Sequence, residues 1–143
     1  MLSFDWSFLR YTVEIANPFV GDQPCEMTAE LFHRHFANTM SEPAATAAYE
    51  ATAVHESRNV LRDCLLEAGQ IDLRRQRVPL LLIGAEKDEI IPAELCERNA
   101  RAYDGVGRGT NYKMFPGRDH LICGEPGWEE VASYAADWLG TAV

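Results

Sequence analysis

Basic residues are in short supply in this sequence. Its 143 residues include 13 lysines and arginines against 22 aspartates and glutamates, which gives a formal net charge of −9 at pH 7. An acidic surface of this kind repels the phosphate backbone of nucleic acids and the head groups of anionic lipids. We therefore expect no nucleic-acid partner. The rest of the composition, 47% hydrophobic and 24% charged, is typical of a globular protein with its own core.

Long apolar runs are missing too. No stretch approaches the roughly 20 apolar residues that a membrane-spanning helix needs, and the opening residues lack the basic start of a signal peptide. The four cysteines are far apart and form no C-x-x-C pair, which argues against a zinc knuckle or a dithiol redox motif. Dispersed thiols without an export signal are typical of a reducing compartment, so we expect a cytoplasmic protein.

Metal and phosphate sites are not indicated. His33 and His35 flank Arg34, but side chains two apart on a helix point to different sides and cannot share an ion. The glycine-rich run of residues 105–109 misses the G-x-G-x-x-G spacing and leads into a strand, so a surface turn is the simpler interpretation. We expect no metal and no cofactor.

The chain changes character near the basic run Arg74-Arg75-Gln76-Arg77. The first region, residues 1–76, has a helical pattern. A broad apolar face predicts a helix over 28–38. Serine is a typical helix N-cap and glycine a typical stop, and these signals predict two more helices, from Ser41 to about Val54 and from Ser57 to Gly69.

The second region, residues 77–143, alternates strands and helices. We predict a strand over Val78–Ile83, a helix from Pro92 to about Tyr103, a strand over Tyr112–Phe115 and a helix over Gly127–Leu139. This order predicts an α/β fold with a parallel sheet. A strand apolar at every position normally has neighbours on both edges. We therefore expect the missing neighbours of the first strand upstream of Met1 or on another chain.

The closing helix has a clear apolar stripe. Its predicted members are Trp128, Val131, Ala132, Ala135, Trp138 and Leu139.

Two loops of the second region carry candidate catalytic residues. Asp88 follows the first strand and His120 follows the second. Reactive groups of open α/β sheets gather in the loops after the carboxyl ends of the strands, where an acid can fix the tautomer of a histidine. Alone, Asp88 would be interpreted as a turn or helix-capping residue and His120 as a surface or loop histidine. Their joint placement favours a catalytic pair.

These loops also carry a resemblance to a known family. Residues 78–92, V-P-L-L-L-I-G-A-E-K-D-E-I-I-P, resemble the strand and acid turn of α/β-hydrolases. F-P-G-R-D-H at 115–120 and E-P-G-W-E-E-V-A-S-Y-A-A-D-W-L at 125–139 resemble the histidine loop and closing helix of that family. Acid before histidine is the order of the triad there.

The resemblance implies an ester or acyl hydrolase with a catalytic triad. Asp88 would be the orienting acid and His120 the general base. Residues 1–76 would form a helical cap or lid, and residues 77–143 the last two β-α units of a partial α/β-hydrolase fold. The implied substrate is a small, apolar ester.

The sequence departs from the family pattern in three places. It has no G-x-S-x-G elbow, nor a Cys or Asp variant of it, and no H-G-G oxyanion loop. Arg118-Asp119 also puts a charge pair beside the presumed base. Cys123 lies on the same loop, and we interpret it as a packing residue rather than a nucleophile.

Without a nucleophile and oxyanion donors, the acid and the base have nothing to activate. We therefore expect a fragment that is inactive alone. The alternative is a non-catalytic, hydrolase-derived module that docks or forms a homo-oligomer through the open edge of its sheet.

Overall fold

The computed structural model describes residues 13, 21, 23–57, 59–60, 63, 66–75, 78–106 and 109–142. The chain divides into two compact units, Met1–Ile71 and Asp72–Val143. No helix among the described residues is long and apolar enough to cross a membrane.

The helices with described bounds in the first unit are α1 over Ala29–His35 and α2 over Glu42–Thr52. The Thr28 hydroxyl caps α1 by accepting a hydrogen bond from the Leu31 amide at 3.2 Å. Ser41 precedes α2 as predicted, although its hydroxyl makes no capping hydrogen bond. The helices pack through aromatic rings.

Phe32 lies at the centre of that packing. It is buried, and its ring stacks on Phe36 at a centroid distance of 5.4 Å and meets the edge of Tyr49 at 5.7 Å. The Tyr49 hydroxyl donates to the Met27 carbonyl at 2.7 Å, which ties α2 to the segment before α1. A burial of this kind is the main stabilising contribution of such a small helical unit.

The third helix predicted for this region, Ser57 to Gly69, lies partly outside the described residues. Among its described residues, 59, 60 and 63 are helical, but Leu66 is extended and Glu67–Gly69 form a separate 3₁₀ turn, so a continuous helix to Gly69 is not formed. A second 3₁₀ turn, Leu73–Arg75, follows in the second unit.

In the described part of the second unit, two strands alternate with two helices. They are β1 over Leu80–Ala85, α3 over Ala93–Ala102, β2 over Thr110–Phe115 and α4 over Trp128–Ala142. The strands pair in parallel, from Leu80 opposite Thr110 to Ala85 opposite Phe115. The predicted α/β class with a parallel sheet is therefore confirmed.

The first strand lies two residues later than predicted. Pro79 has no amide hydrogen to donate to a ladder, and Val78 before it is 61% exposed. Pairing therefore begins when the Leu80 amide donates to the Gly109 carbonyl at 3.1 Å. At the other end the strand continues through Gly84, whose missing side chain leaves room for Tyr112. A Cβ there would lie 2.6 Å from the Tyr112 hydroxyl oxygen.

The two helices cover opposite faces of the sheet. Tyr112 turns towards α3, where its hydroxyl donates to the Ala93 carbonyl at 2.9 Å. Its neighbours along β2 turn towards α4: Phe115 meets the ring of Tyr134 at 5.6 Å, and Asn111 accepts from the Trp138 indole at 2.9 Å. Successive side chains of a strand point to opposite faces, so the sheet lies between α3 and α4.

The apolar stripe of α4 is rotated from the prediction. Val131 is buried and Tyr134, Ala135 and Trp138 are half-buried, whereas Trp128, Ala132 and Leu139 are exposed. The rotation follows from the contacts with β2, because Tyr134 packs on Phe115 and Trp138 donates to Asn111. In the part of the chain that the structure describes, β1 has a ladder partner, β2, along one edge only.

Candidate functional site

The loop that carries Asp88, residues 86–92, is called the acid loop and begins where β1 ends. The Asp88 amide donates to the Ala85 carbonyl at 3.3 Å, which closes a turn. One carboxylate oxygen, Oδ1, then accepts hydrogen bonds from the amides of Ile90 and Ile91, both at 2.8 Å. This is an Asx-type turn that leads the chain towards α3. Asp88 is thus a turn residue rather than a helix cap, since the N-cap position of α3 is Pro92, and the turn occupies only one of the two oxygens.

The other oxygen meets the histidine. Oδ2 of Asp88 lies 2.9 Å from Nδ1 of His120. A carboxylate can only accept, so this contact favours the tautomer with its proton on Nδ1. The ring lone pair is then on Nε2, the atom that takes up a proton in general-base catalysis. The structure therefore brings both predicted catalytic residues together.

The two loops are joined by backbone hydrogen bonds at the carboxyl edge of the sheet. The Glu86 amide donates to the Phe115 carbonyl at 3.0 Å, and the Lys87 amide to the Arg118 carbonyl at 2.7 Å. The Glu86 carboxylate accepts from the Gly117 amide at 2.8 Å. The sequence does not single out Glu86, which is 44% exposed, because its partner lies 31 positions away.

The Asp88–His120 pair is mostly buried, but part of the imidazole is exposed to solvent. The Asp88 side chain is 10% exposed and the His120 side chain 26% exposed. A mostly buried carboxylate interacts strongly with its partner because little water screens it. The more exposed imidazole keeps a surface towards which a reacting group could approach.

Cys96 lies close to this pair. Burial raises the pKa of its thiol, and the negative charge of Asp88 raises that pKa further. The thiol donates to the Ile83 carbonyl at 3.3 Å. A raised pKa lowers the fraction of the nucleophilic thiolate, so it argues against Cys96 as a nucleophile. Cys123 is exposed, and its interpretation as a packing residue is therefore wrong.

Two acidic side chains near His120, Asp119 and Glu125, are buried within the loop between β2 and α4. Asp119 is fully buried, and its Oδ1 accepts from the Leu121 amide at 2.9 Å, which closes an Asx turn around His120. Glu125 is also buried, at 4% exposure. The sequence does not indicate these burials, because an aspartate or glutamate in a loop is usually exposed.

His33, one of the two histidines of α1, has an ordinary structural contact. His33 Nε2 lies 2.9 Å from the Met40 carbonyl oxygen, to which it can donate. Among the residues that the structure describes, no group of three or more His, Cys, Asp or Glu side chains is arranged to hold a metal. Gly105 and Gly109 have positive φ angles of 74° and 105°, which is typical of a turn; residues 107–108 between them lie outside the described residues.

No family model, curated protein or solved structure matches this chain. The relationship to α/β-hydrolases therefore stays a prediction from the motifs of the two loops.

Proposed function

We propose that this chain supplies the acid and the general base of an α/β-hydrolase-type site that cleaves esters or similar acyl bonds. The observation that carries the proposal is the 2.9 Å contact between Asp88 Oδ2 and His120 Nδ1. It joins the loops that follow the two parallel strands, the place where open α/β sheets collect reactive groups. On this proposal, residues 77–143 are the last two β-α units of the hydrolase core and residues 1–76 its lid.

The chemistry follows from the tautomer. Nε2 of His120 would take the proton of a hydroxyl nucleophile as its oxygen attacks the acyl carbon, and the imidazolium would then give that proton to the leaving alcohol. Asp88 would stabilise the imidazolium without accepting the proton. The nucleophile and the oxyanion donors would come from residues outside these 143, because the sequence contains no G-x-S-x-G elbow.

An apolar substrate fits the residues next to the pair. Ile91, three positions after Asp88, is 39% exposed. Leu121 and Ile122 follow His120 directly and are half-buried. Partly exposed apolar side chains of this kind favour binding of an apolar acyl or alcohol group.

Two experiments test the proposal. The 143-residue chain should hydrolyse p-nitrophenyl esters no faster than its His120→Ala variant. If the DNA upstream of the Met1 codon encodes a G-x-S-x-G, in frame or frameshifted, the longer product should hydrolyse these esters. In that product, His120→Ala should abolish turnover.

His55→Ala is the matched control, since His55 is 68% exposed and pairs with Glu26 at the surface. It should leave turnover unchanged. A longer product that is inactive, or equally active without His120, would contradict the proposal.

A second candidate function rests on the sheet edge. Among the described residues β1 pairs along one edge only, and an open strand edge can pair with another chain. We propose as the alternative that this edge serves a homo-oligomer or a docking partner. Sedimentation velocity across a hundredfold concentration range tests it, and a monomer throughout would count against a homo-oligomer.

A further inference from the structure

We propose that Arg118 is a positioning residue, which holds the histidine loop against the closing helix so that His120 faces Asp88. The inference rests on the proposed function, because a fixed imidazole matters only if it takes part in proton transfer. Arg118 stands two positions before His120, and its side chain is only 13% exposed.

Three hydrogen bonds join the guanidinium to the residues at the start of α4. Nη1 donates to the Pro126 carbonyl at 2.7 Å, and Nη2 donates to the Gly127 carbonyl at 2.7 Å. Nη2 also donates to the Glu130 carboxylate at 3.0 Å. Buried Glu125 lies 3.7 Å from Nη1. A planar fork of donors makes such a set of contacts possible, and a lysine ammonium cannot reproduce it.

The backbone of Arg118 is held from the other side. Its carbonyl accepts from the Lys87 amide of the acid loop at 2.7 Å. One residue therefore ties the histidine loop to the acid loop through its main chain and to α4 through its side chain. The segment between β2 and α4 forms only turns, so these ties replace the regular hydrogen bonding that positions a side chain on a helix or strand.

Gly127 is shaped for this contact. A Cβ on it would lie 2.8 Å from Nη2 and 3.1 Å from Nη1 of Arg118. Gly127→Ala therefore displaces the guanidinium without replacing Arg118. Because Gly127 has a φ of 86°, the substitution also adds backbone strain. Gly105 provides the matched control, since it has a φ of 74° and nothing lies within 4 Å of its Cβ position.

The experiment measures the tautomer of His120 in the full chain. The protein is labelled with ¹⁵N-histidine, and the ring nitrogens and the low-field Nδ1 proton are assigned by their loss in His120→Ala. The wild type should show a proton on Nδ1. Arg118→Met and Gly127→Ala should lose the low-field proton signal and shift Nδ1 towards the unprotonated position, and Arg118→Lys should restore the signal only in part.

Gly105→Ala and Arg101→Met should leave the signal unchanged, since Arg101 pairs with Glu97 at 68% exposure. Far-ultraviolet circular dichroism identifies the variants that fold. If Arg118→Met does not fold, Gly127→Ala provides the test of the positioning role. A folded Arg118→Met or Gly127→Ala chain with the wild-type tautomer would overturn the positioning role alone. A wild type without a proton on Nδ1 would instead remove the Asp88–His120 pair on which the proposed function depends.

Discussion

The two oxygens of Asp88 have separate partners, so two substitutions should separate its two roles. Oδ1 accepts from the Ile90 and Ile91 amides and Oδ2 from His120. Asp88→Ala removes all three hydrogen bonds. Asp88→Asn keeps one oxygen, which the two backbone donors will hold, and presents an amide N–H₂ to His120 where the wild type presents an acceptor.

The expected magnitudes follow from these partners. Losing a side-chain cap costs about 0.5–2 kcal/mol, and a hydrogen bond to a charged group contributes about 1.5–3 kcal/mol. The Ile91 amide belongs to a residue that is 39% exposed, so water will replace part of the loss. We expect Asp88→Ala to lower the free energy of unfolding by about 2–4 kcal/mol and Asp88→Asn by about 1 kcal/mol.

Asp88→Asn should change the His120 tautomer and the catalytic rate strongly, although it should lower the stability less than Asp88→Ala does. An amide beside Nδ1 must donate, which moves the ring proton to Nε2 and removes the lone pair that accepts a proton. In serine-protease triads this exchange lowers kcat on the order of 10⁴-fold, and an active longer product should show a similar loss.

Urea unfolding followed by circular dichroism measures the first effect, and ¹⁵N spectra of the His120 ring measure the second. The reasoning is refuted if Asp88→Asn is as unstable as Asp88→Ala, or if it keeps the proton on Nδ1.

Three further outcomes are expected. Burial and the charge of Asp88 raise the Cys96 pKa, so alkylation of Cys96 by iodoacetamide should be slower at neutral pH than that of exposed Cys123 and should increase at a higher pH. Asp88→Asn should lower the Cys96 pKa, and mass spectra with Cys123 as internal reference measure the change. Gly84→Ala should lower the free energy of unfolding by about 1–3 kcal/mol through overpacking, as measured by urea unfolding. The loss should be smaller in a Tyr112→Phe background, which lacks the hydroxyl oxygen 2.6 Å from the new Cβ. Phe32→Ala should lower the stability of the first unit by about 3–5 kcal/mol in thermal or urea unfolding, because Phe32 is 7% exposed between two rings.

Much of the second unit could be predicted from local signals. The apolar run after Val78, the proline before α3 and the order of strands and helices are properties of short stretches, and each predicted an element within a few residues of its place. The α4 stripe could not be predicted in full. Tyr134 packs on Phe115, and a helical pattern alone does not tell which side of an apolar stripe a sheet will cover.

The site divides in the same way. The meeting of Asp88 and His120 could be predicted, because the carboxyl ends of neighbouring parallel strands lie at one edge of a sheet. The reach of Arg118 to Gly127 spans nine positions of irregular backbone. Its direction depends on the turn at Gly117, which has a φ of 70°. No periodicity reports such a contact, and a charged residue next to a candidate base invites an electrostatic interpretation instead.

The turn that Asp88 forms supports its proposed role beside His120. Two backbone amides hold Oδ1 and thereby fix the plane of the carboxylate, so the direction of Oδ2 is set by the turn after β1. His120 is positioned by the Asx turn of Asp119, by the contacts of Arg118 with the start of α4 and by the hydrogen bond from the Lys87 amide to the Arg118 carbonyl. Both β-α units therefore take part in orienting the two side chains, and pre-organisation of this kind is what the proposed acid–base pair needs. The pair is therefore complete within residues 78–142, and a nucleophile would meet an imidazole that is already oriented.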